Sequence, residues 1–167
     1  GSVGWGDACI IVPYEMYSRY GDTRILSENY EMMKKWYAFL EERAKKLPVN
    51  PVKRFKRNPY RRYTIETGID YGEWCEPDVE STSAMRTPQG KVATAFFAYS
   101  GRMLAEIAVI LGKEDDAAYY SKTAEMAKKA WRFIATEDGK ISSDRQADYV
   151  RALAFGLLEK EEAKKAA

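Results

Sequence analysis

Two short stretches of the chain each place a tryptophan beside a glycine and a carboxylate. The first is Gly4-Trp5-Gly6-Asp7-Ala8, and the second is Tyr71-Gly72-Glu73-Trp74. An indole ring offers an apolar face to a sugar ring, and a carboxylate accepts hydrogen bonds from sugar hydroxyls. The flanking glycines allow a tight turn that directs the first ring away from the chain. Both stretches are therefore candidate carbohydrate-binding sites.

Each stretch also has a simpler structural interpretation. In the first, Trp5 packs into the core and Asp7 caps the helix that follows. In the second, Trp74 packs the loop onto the helices while the neighbouring acids face water. The candidate sugar ligands in and around the second stretch are Asp70, Tyr71, Glu73, Trp74 and Glu76.

The absence of histidine restricts the chemistry open to this chain of 167 residues. Serine and cysteine triads and many metal sites depend on histidine. Acid–base catalysis would therefore fall to Asp and Glu, with Lys and Tyr as weaker candidates. The two cysteines, Cys9 and Cys75, are far apart in the sequence and form no CxxC pair. This spacing supports neither a metal site nor a disulfide scaffold, and we expect no cofactor.

A basic segment lies near the middle of the chain, from Lys53 to Tyr63. It places six cationic residues among three aromatic ones. Such interleaving suits a nucleic acid or another anionic polymer, because cations contact the backbone and rings stack. The basic residues outside this segment are outnumbered by the 25 acidic residues of the chain, and the net charge is only +2. We therefore favour a solvated or packing loop here and expect no nucleic-acid partner.

Hydrophobic periodicity predicts an all-α chain. The predicted helices are Ala8–Tyr20, Thr23–Lys46, Lys91–Leu111, Asp116–Ile134, Arg145–Phe155 and Glu159–Ala167. The third is apolar almost all round, so we expect it to be buried on most sides. Residues 47–89 form a long loop, in which Tyr63-Thr64-Ile65 is a candidate short strand. The expected caps and stops are Gly21, Asp22, Ser142-Ser143-Asp144 and Gly156, and Thr136–Lys140 is a predicted turn.

Length and composition indicate one globular domain over residues 1–167. The hydrophobic and charged shares, 46% and 31%, are ordinary for a soluble protein. No apolar run approaches the roughly 20 residues that span a bilayer, and we expect no charged-then-apolar leader with a cleavage site. We expect a soluble chain without a membrane partner, cytoplasmic rather than secreted.

Five motifs occur in a fixed order along most of the chain. They are Gly4-Trp-Gly-Asp-Ala8, Tyr20-Gly-Asp-Thr-Arg-Ile-Leu26, Tyr71-Gly-Glu-Trp74, Val92-Ala-Thr-Ala-Phe-Phe-Ala-Tyr-Ser100 and Arg151-Ala-Leu-Ala-Phe-Gly-Leu-Leu158. Together they resemble the catalytic domain of bacterial α-L-rhamnosidases, glycoside hydrolase family 78. The resemblance thins over residues 47–66 and 79–89.

This resemblance implies a ring of six helical hairpins, an α/α barrel, of which the chain forms an incomplete part. It also implies an inverting mechanism, in which a carboxylic acid protonates the leaving oxygen and a carboxylate roughly 6.5–9.5 Å away activates water. The family's acid motif lies before the Gly-Trp-Gly-Asp stretch and its base lies after the last motif. Neither occurs here, so the resemblance implies an inactive part of a glycosidase that releases terminal α-L-rhamnose.

The resemblance also assigns roles to individual residues. Trp5 and Trp74 match the aromatic positions that line the rhamnose pocket. Asp7 and Glu73 match the acids beside them, as sugar ligands or as supports for the rings, and Tyr71 joins them as a substrate-binding candidate. Glu73 stands where the family more usually has Asp. Asp148 and Arg151 place charge in a helix that is normally apolar, which bears on its packing.

The expected partner is a rhamnose-containing glycoside. The alternative is a non-catalytic helical interaction module whose basic loop contacts an anionic polymer. Part of a ring exposes apolar faces that its neighbours would cover, which predicts self-association. Alternatively, the chain closes a smaller bundle around Trp36, Phe97 and Trp131.

Overall fold

A computed structural model describes residues 1–46, 58–72 and 89–167. Its helices are α1 (Ala8–Tyr20), α2 (Arg24–Lys45), α3 (Gly90–Ile110), α4 (Glu114–Ala135), α5 (Gln146–Ala154) and α6 (Lys160–Ala166). A short 3-10 helix spans Arg61–Tyr63, and the strands β1 (Thr136–Glu137) and β2 (Lys140–Ile141) form a small hairpin. The predicted all-α fold is confirmed. The candidates Glu73, Trp74, Cys75 and Glu76 and the basic residues 53–57 lie outside the described residues.

Consecutive helices pack in pairs within the described residues, α1 on α2, α3 on α4 and α5 on α6. The chain reverses after α1 at Gly21 and after α5 at Gly156, which adopt φ values of 70° and 64°. Neighbouring pairs also touch, since α3 contacts α1 and α2. The ring of Phe155, at the end of α5, stacks on Tyr99 of α3 with centroids 4.1 Å apart. The fold is therefore a run of adjoining helical hairpins, as the sequence predicts.

Helix α3 forms the centre of this arrangement. Phe97, Leu104 and Ile107 are almost completely buried, and small residues between them let the other helices approach. The prediction of a helix buried on most sides is confirmed. By length and composition α3 could also cross a membrane, although we expected no such segment. Because 67% of its most apolar window is buried inside the bundle, α3 has the surroundings of a core helix.

Gly101 packs tightly against side chains of both α2 and α4. A Cβ added there would overlap the Tyr37 hydroxyl and lie 3.1 Å from the Ala124 Cβ. Tyr37 itself is fully buried, with ring centroids 5.2 Å from Phe97 and 5.3 Å from Tyr120. Its hydroxyl has no hydrogen-bond partner among the described residues. The small residue at 101 is therefore what admits a large aromatic ring between three helices.

The turn predicted over Thr136–Lys140 is present and closes a two-stranded hairpin, which the sequence analysis does not predict. Asp138 and Gly139 occupy the turn with φ values of 49° and 73°. An Asp-Gly pair with both residues at positive φ is a strong hairpin signal. The candidate strand at Tyr63-Thr64-Ile65 is wrong. The backbone N–H of Ile65 donates to the side chain of Thr94 in α3 instead of pairing with a strand.

Of the expected side-chain caps, the one at Asp22 is present and the one at Ser142–Asp144 is not. Thr23 occupies the N-cap of α2, while the Asp22 carboxylate accepts hydrogen bonds from the backbone and guanidinium of Arg24. The Ser142–Asp144 segment precedes the N-cap of α5 and places no side chain on its first turn. Helix α6 instead has a capping box formed by Glu159 and Glu162. Polar residues near a helix start thus mark its position better than they identify the capping group.

Replacing Gly101 by Ala should destabilise the chain, because the new methyl group overlaps the Tyr37 hydroxyl and overpacking of this kind costs about 1–3 kcal/mol. The gain of Ala over Gly in a helix interior, ~1 kcal/mol, offsets part of that cost and leaves a net loss of up to about 2 kcal/mol. Urea unfolding followed by circular dichroism measures the change.

The matched background is Tyr37→Phe, which removes the hydroxyl without a partner. Alone it should leave stability unchanged or slightly raised, because no hydrogen bond among the described residues is lost. In this background Gly101→Ala should cost less than in the wild type. An equal cost in both backgrounds would show that the hydroxyl does not limit the packing.

Candidate aromatic binding site

The glycines of the first tryptophan stretch are required by its backbone geometry. Gly4 adopts a φ of 88°, in the left-handed region that favours glycine. A Cβ at Gly6 would overlap the indole ring of Trp36, which packs directly against the loop backbone. The turn leaves Trp5 67% exposed at the start of α1. The interpretation in which Trp5 packs into the core is therefore wrong.

Asp7 is completely buried and ties this loop to two helices. One carboxylate oxygen accepts hydrogen bonds from the Trp36 indole N–H of α2 (3.2 Å) and the Ser100 hydroxyl of α3 (2.5 Å). The other accepts the backbone N–H of Gly4 at 2.7 Å. The pKa of Asp7 is raised, because the effect of burial exceeds the opposing effect of these three hydrogen bonds. Asp7 occupies the N-cap position of α1, but its side chain makes no capping hydrogen bond.

The sequence allows Asp7 to be either a sugar ligand or a support for the Trp5 ring, and its surroundings distinguish these two roles. Both of its oxygens are occupied by protein donors and none of the side chain contacts solvent. A sugar hydroxyl would have to displace one of those donors to reach it. The geometry therefore favours Asp7 as a support for the Trp5 loop over Asp7 as a direct sugar ligand.

A buried ion pair holds in place the second loop, residues 66–72, which carries Asp70 and Tyr71. The Arg43 guanidinium, near the end of α2, donates two hydrogen bonds to the Asp70 carboxylate at 2.9 and 2.8 Å. It also donates to the Thr67 carbonyl oxygen. Arg43 and Asp70 are 5% and 4% exposed, so water does not compete for these bonds. Removing one partner of such a pair costs about 3–5 kcal/mol, so the loop is firmly fixed.

The same aspartate connects the two loops. Asp70 accepts the backbone N–H of Val3 at 2.7 Å, just before the Trp5 turn. The backbone N–H of Tyr71 in turn donates to the Ser2 hydroxyl at 3.3 Å. Asp70, a candidate sugar ligand in the sequence, is therefore a structural connection with no accessible oxygen.

These connections bring Trp5 and Tyr71 together at the surface. Their ring centroids are 5.8 Å apart with an angle of 61° between the planes. Tyr71 is 41% exposed, so both rings retain accessible surface. Of the five predicted substrate-binding residues, the structure thus joins Trp5 and Tyr71, while Asp7 is buried and holds the Trp5 loop. Glu73 and Trp74 are outside the described residues.

The supporting side chains Arg43, Trp36 and Ser100 were not identified from the sequence. Arg43 did carry a usable signal, because it lies three residues after Leu40 on the apolar face of α2. A cation at a buried helix position requires a buried partner. Trp36 and Ser100 carried none, since their contacts with Asp7 join residues far apart in the chain.

Glu66 lies at the base of the second loop, against Gly90 at the start of α3. Its oxygen Oε1 is buried and has no hydrogen-bond partner in the part of the chain that the structure describes. Burial raises the pKa of Glu66 to about 7. Its ionised form is therefore poorly accommodated near neutral pH.

The sequence analysis also noted charged residues in α5 and in the basic segment. Arg151, which is buried in α5, pairs with Asp148 at 2.9 Å, so the charges unusual for that helix partly neutralise each other. Arg61 and Arg62 are exposed on the 3-10 helix. No group of three potential metal ligands occurs among the described residues.

Comparison with known proteins places the chain among glycosidases. A family model described as the bacterial alpha-L-rhamnosidase 6 hairpin glycosidase domain matches residues 1–167. An alpha-L-rhamnosidase of Formosa agariphila is 34% identical over 163 residues, covering 96% of this chain and 16% of that protein. One of Streptomyces avermitilis is 31% identical over 160 residues, covering 95% of this chain and 13% of that protein.

A solved structure is similar over nearly the whole chain. The Streptomyces avermitilis alpha-L-rhamnosidase complexed with L-rhamnose superposes with a TM-score of 0.75 at 28% identity. The match covers 99% of this chain and 14% of that one. The chain thus spans less than a fifth of the length of the relatives that it matches.

Replacing Glu66 by Gln should change how stability depends on pH. The folded-state pKa of about 7 exceeds the ordinary 4.5. The folded state therefore binds the proton more tightly than the unfolded state does, and proton binding stabilises the fold. This stabilisation is complete below the unfolded-state pKa and is lost as the pH rises through the folded-state pKa. The variant cannot ionise, so its melting temperature should rise relative to wild type between these two values.

Thermal unfolding at a series of pH values from 4 to 8 measures this difference. Glu28→Gln, on the exposed face of α2, is the control and should show no comparable change. A Glu66→Gln difference that stays constant across the series would mean that Glu66 does not titrate abnormally in the folded chain.

Proposed function

This chain belongs to the bacterial α-L-rhamnosidase six-hairpin glycosidase family, and we propose that it supplies part of the rhamnose-binding wall of such an enzyme. The observation that carries the proposal is the exposed pair of rings formed by Trp5 and Tyr71. Each ring stands on a loop fixed by buried hydrogen bonds rather than packing into the core. Because the chain spans only a small part of its relatives, the activity belongs to a longer enzyme in this proposal.

The two rings suit a deoxy sugar with both apolar and polar surfaces. Rhamnose carries a methyl group at C6, and its ring C–H groups present apolar patches. With an angle of 61° between their planes, Trp5 and Tyr71 form a corner that can contact two sides of such a sugar. The Tyr71 hydroxyl adds a donor and acceptor for sugar hydroxyls.

Asp7, Glu73 and Trp74 complete the proposed wall. Asp7 acts beneath it, by holding the Trp5 loop against α2 and α3. Glu73 and Trp74 follow Tyr71 and Gly72 in the sequence, and we assign them to the wall from that motif alone.

We propose that the acid and the base needed for hydrolysis are not supplied by this chain. An inverting glycosidase needs an acid and a base roughly 6.5–9.5 Å apart, both accessible to substrate or water. Among the residues that the structure describes, the carboxylates closest in sequence to the two loops' rings, Asp7 and Asp70, are buried and hydrogen-bonded to protein donors. The acid and base would therefore come from other parts of the enzyme.

Self-association of the isolated chain stays a prediction. Apolar side chains on α1 and α3 support it, because Val12, Met16 and Val109 are 55%, 41% and 68% exposed. In a complete ring of hairpins, such side chains would meet neighbouring helices.

The purified chain should bind L-rhamnose weakly, and Tyr71→Ala should weaken that binding by roughly two- to tenfold, the effect of losing an aromatic contact. Nuclear magnetic resonance titration of the tryptophan indole signals measures the affinity. Tyr20→Ala is the matched control, since Tyr20 is 73% exposed at the other end of α1. Equal losses in both variants, or no binding by the wild type, would contradict the proposal.

The chain alone should not hydrolyse 4-nitrophenyl α-L-rhamnopyranoside, because Asp7 and Asp70 are buried and the proposal assigns the acid and the base to other parts of the enzyme. Nitrophenol release should equal that of buffer in a spectrophotometric assay. Release above this level by the purified chain would show that the chain contains a catalytic carboxylate after all.

A further inference from the structure

Trp5 stands between two glycines that each lie against an aromatic ring of a different helix. A Cβ added at Gly6 would overlap the Trp36 indole of α2. A Cβ added at Gly4 would lie 3.4 Å from Cε2 and 3.7 Å from Cζ of Phe96, so the edge of this α3 ring occupies the space beside Gly4. The loop that carries the tryptophan therefore rests on one ring at the residue before Trp5 and on another at the residue after it.

Phe96 differs in its surroundings from the core ring beside it in the sequence. Phe97 is 1% exposed inside the bundle, whereas Phe96 is half-buried and packs at the edge of the core. Consecutive side chains of a helix point about 100° apart, so the two rings lie on different sides of α3. Because the Phe96 ring contacts loop backbone at a glycine, it supports the Trp5 loop in addition to covering the core.

The Phe96 ring in turn contacts a ring of the third helical hairpin. Phe155, at the end of α5, meets Phe96 with centroids 5.0 Å apart and an angle of 70° between the planes. Such a T-shaped arrangement is one that aromatic pairs prefer. Phe155 also stacks on Tyr99, one turn further along α3, with an angle of 5° between the planes. The position of Phe96 is therefore fixed from α5 as well as from its own helix.

Phe155 is held in place by the chain reversal that follows it. Gly156 adopts a φ of 64°, and a Cβ added there would lie 3.2 Å from a guanidinium nitrogen of Arg102 on α3. The guanidinium carbon of Arg102 lies 5.4 Å from the centroid of the Tyr99 ring. The end of α5 is thus seated on α3, and the Phe155 ring cannot turn away from Phe96 without losing its stack on Tyr99.

We infer that Phe96 is a positioning residue for Trp5 and that Phe155, acting through Phe96, makes the placement of Trp5 depend on the third hairpin. This rests on the proposed function, because the placement of Trp5 affects binding only if its ring contacts the sugar. Phe96 and Phe155 act by fixing the loop backbone and do not touch the sugar themselves. The binding surface therefore takes its geometry from all three described hairpins.

The test follows the Trp5 indole N–H signal of the full 167-residue chain by nuclear magnetic resonance, assigned with a Trp5→Phe variant. Its chemical shift without ligand reports the placement of the ring, and its titration with L-rhamnose reports the affinity. Phe96→Leu should shift the signal and weaken binding by roughly two- to tenfold, the effect of losing an aromatic contact. Phe155→Leu should change both properties in the same direction but by less, because it acts through Phe96. Phe155→Tyr keeps the ring and should restore both to their wild-type values.

Tyr149→Leu is the matched control, because Tyr149 is a half-buried ring on α5 that lines a small cavity beside the β-hairpin. It should lower the melting temperature and leave the Trp5 signal and the affinity unchanged. A wild-type Trp5 signal in Phe155→Leu, or an equal change in Tyr149→Leu, would overturn the inference and leave the proposed function intact. If the wild type binds no rhamnose, the proposed function fails, and the signal without ligand still decides whether Phe96 and Phe155 place the Trp5 ring.

Discussion

The ion pair between Arg43 and Asp70 is the interaction on which the arrangement of the candidate site depends. It joins α2 to the loop before α3, and the same carboxylate binds the backbone of Val3 ahead of α1. Since both charges are buried, neither can be lost without leaving the other unpaired in a medium of low polarity. Three segments distant in the sequence are thereby held in one geometry, and the two exposed rings take their positions from it.

Much of the fold could be predicted from the sequence because it follows from local patterns. The helices are long, and their apolar residues recur at three- and four-residue steps, so their bounds were predicted to within about two residues, the usual uncertainty of helix ends. The unpredicted β-hairpin has strands of two residues each, too short to show an alternating pattern. The side-chain cap predicted at Ser142–Asp144 was wrong, whereas the Asp22 carboxylate accepts the backbone N–H of Arg24 at the start of α2.

The site could be predicted only in part, because its supporting interactions join residues that are far apart in the sequence. Glycines beside a tryptophan and an aspartate indicated an exposed ring, which the structure shows for Trp5. The sequence could not show that Asp7 and Asp70 face inward, because their partners Ser100 and Arg43 lie on other elements. Whether a carboxylate serves binding or support depends on its tertiary neighbours, and a single sequence does not display them.

The two rings belong to different parts of the chain, Trp5 before α1 and Tyr71 before α3, and touch only because the tertiary structure is formed. The conformational entropy of their loops is therefore lost during folding instead of during ligand binding. In the proposed function, a sugar that meets this surface orders little further backbone, so its weak contacts can appear as affinity. The same coupling makes recognition depend on cooperativity, since unfolding of either loop would separate the rings and abolish the surface at once.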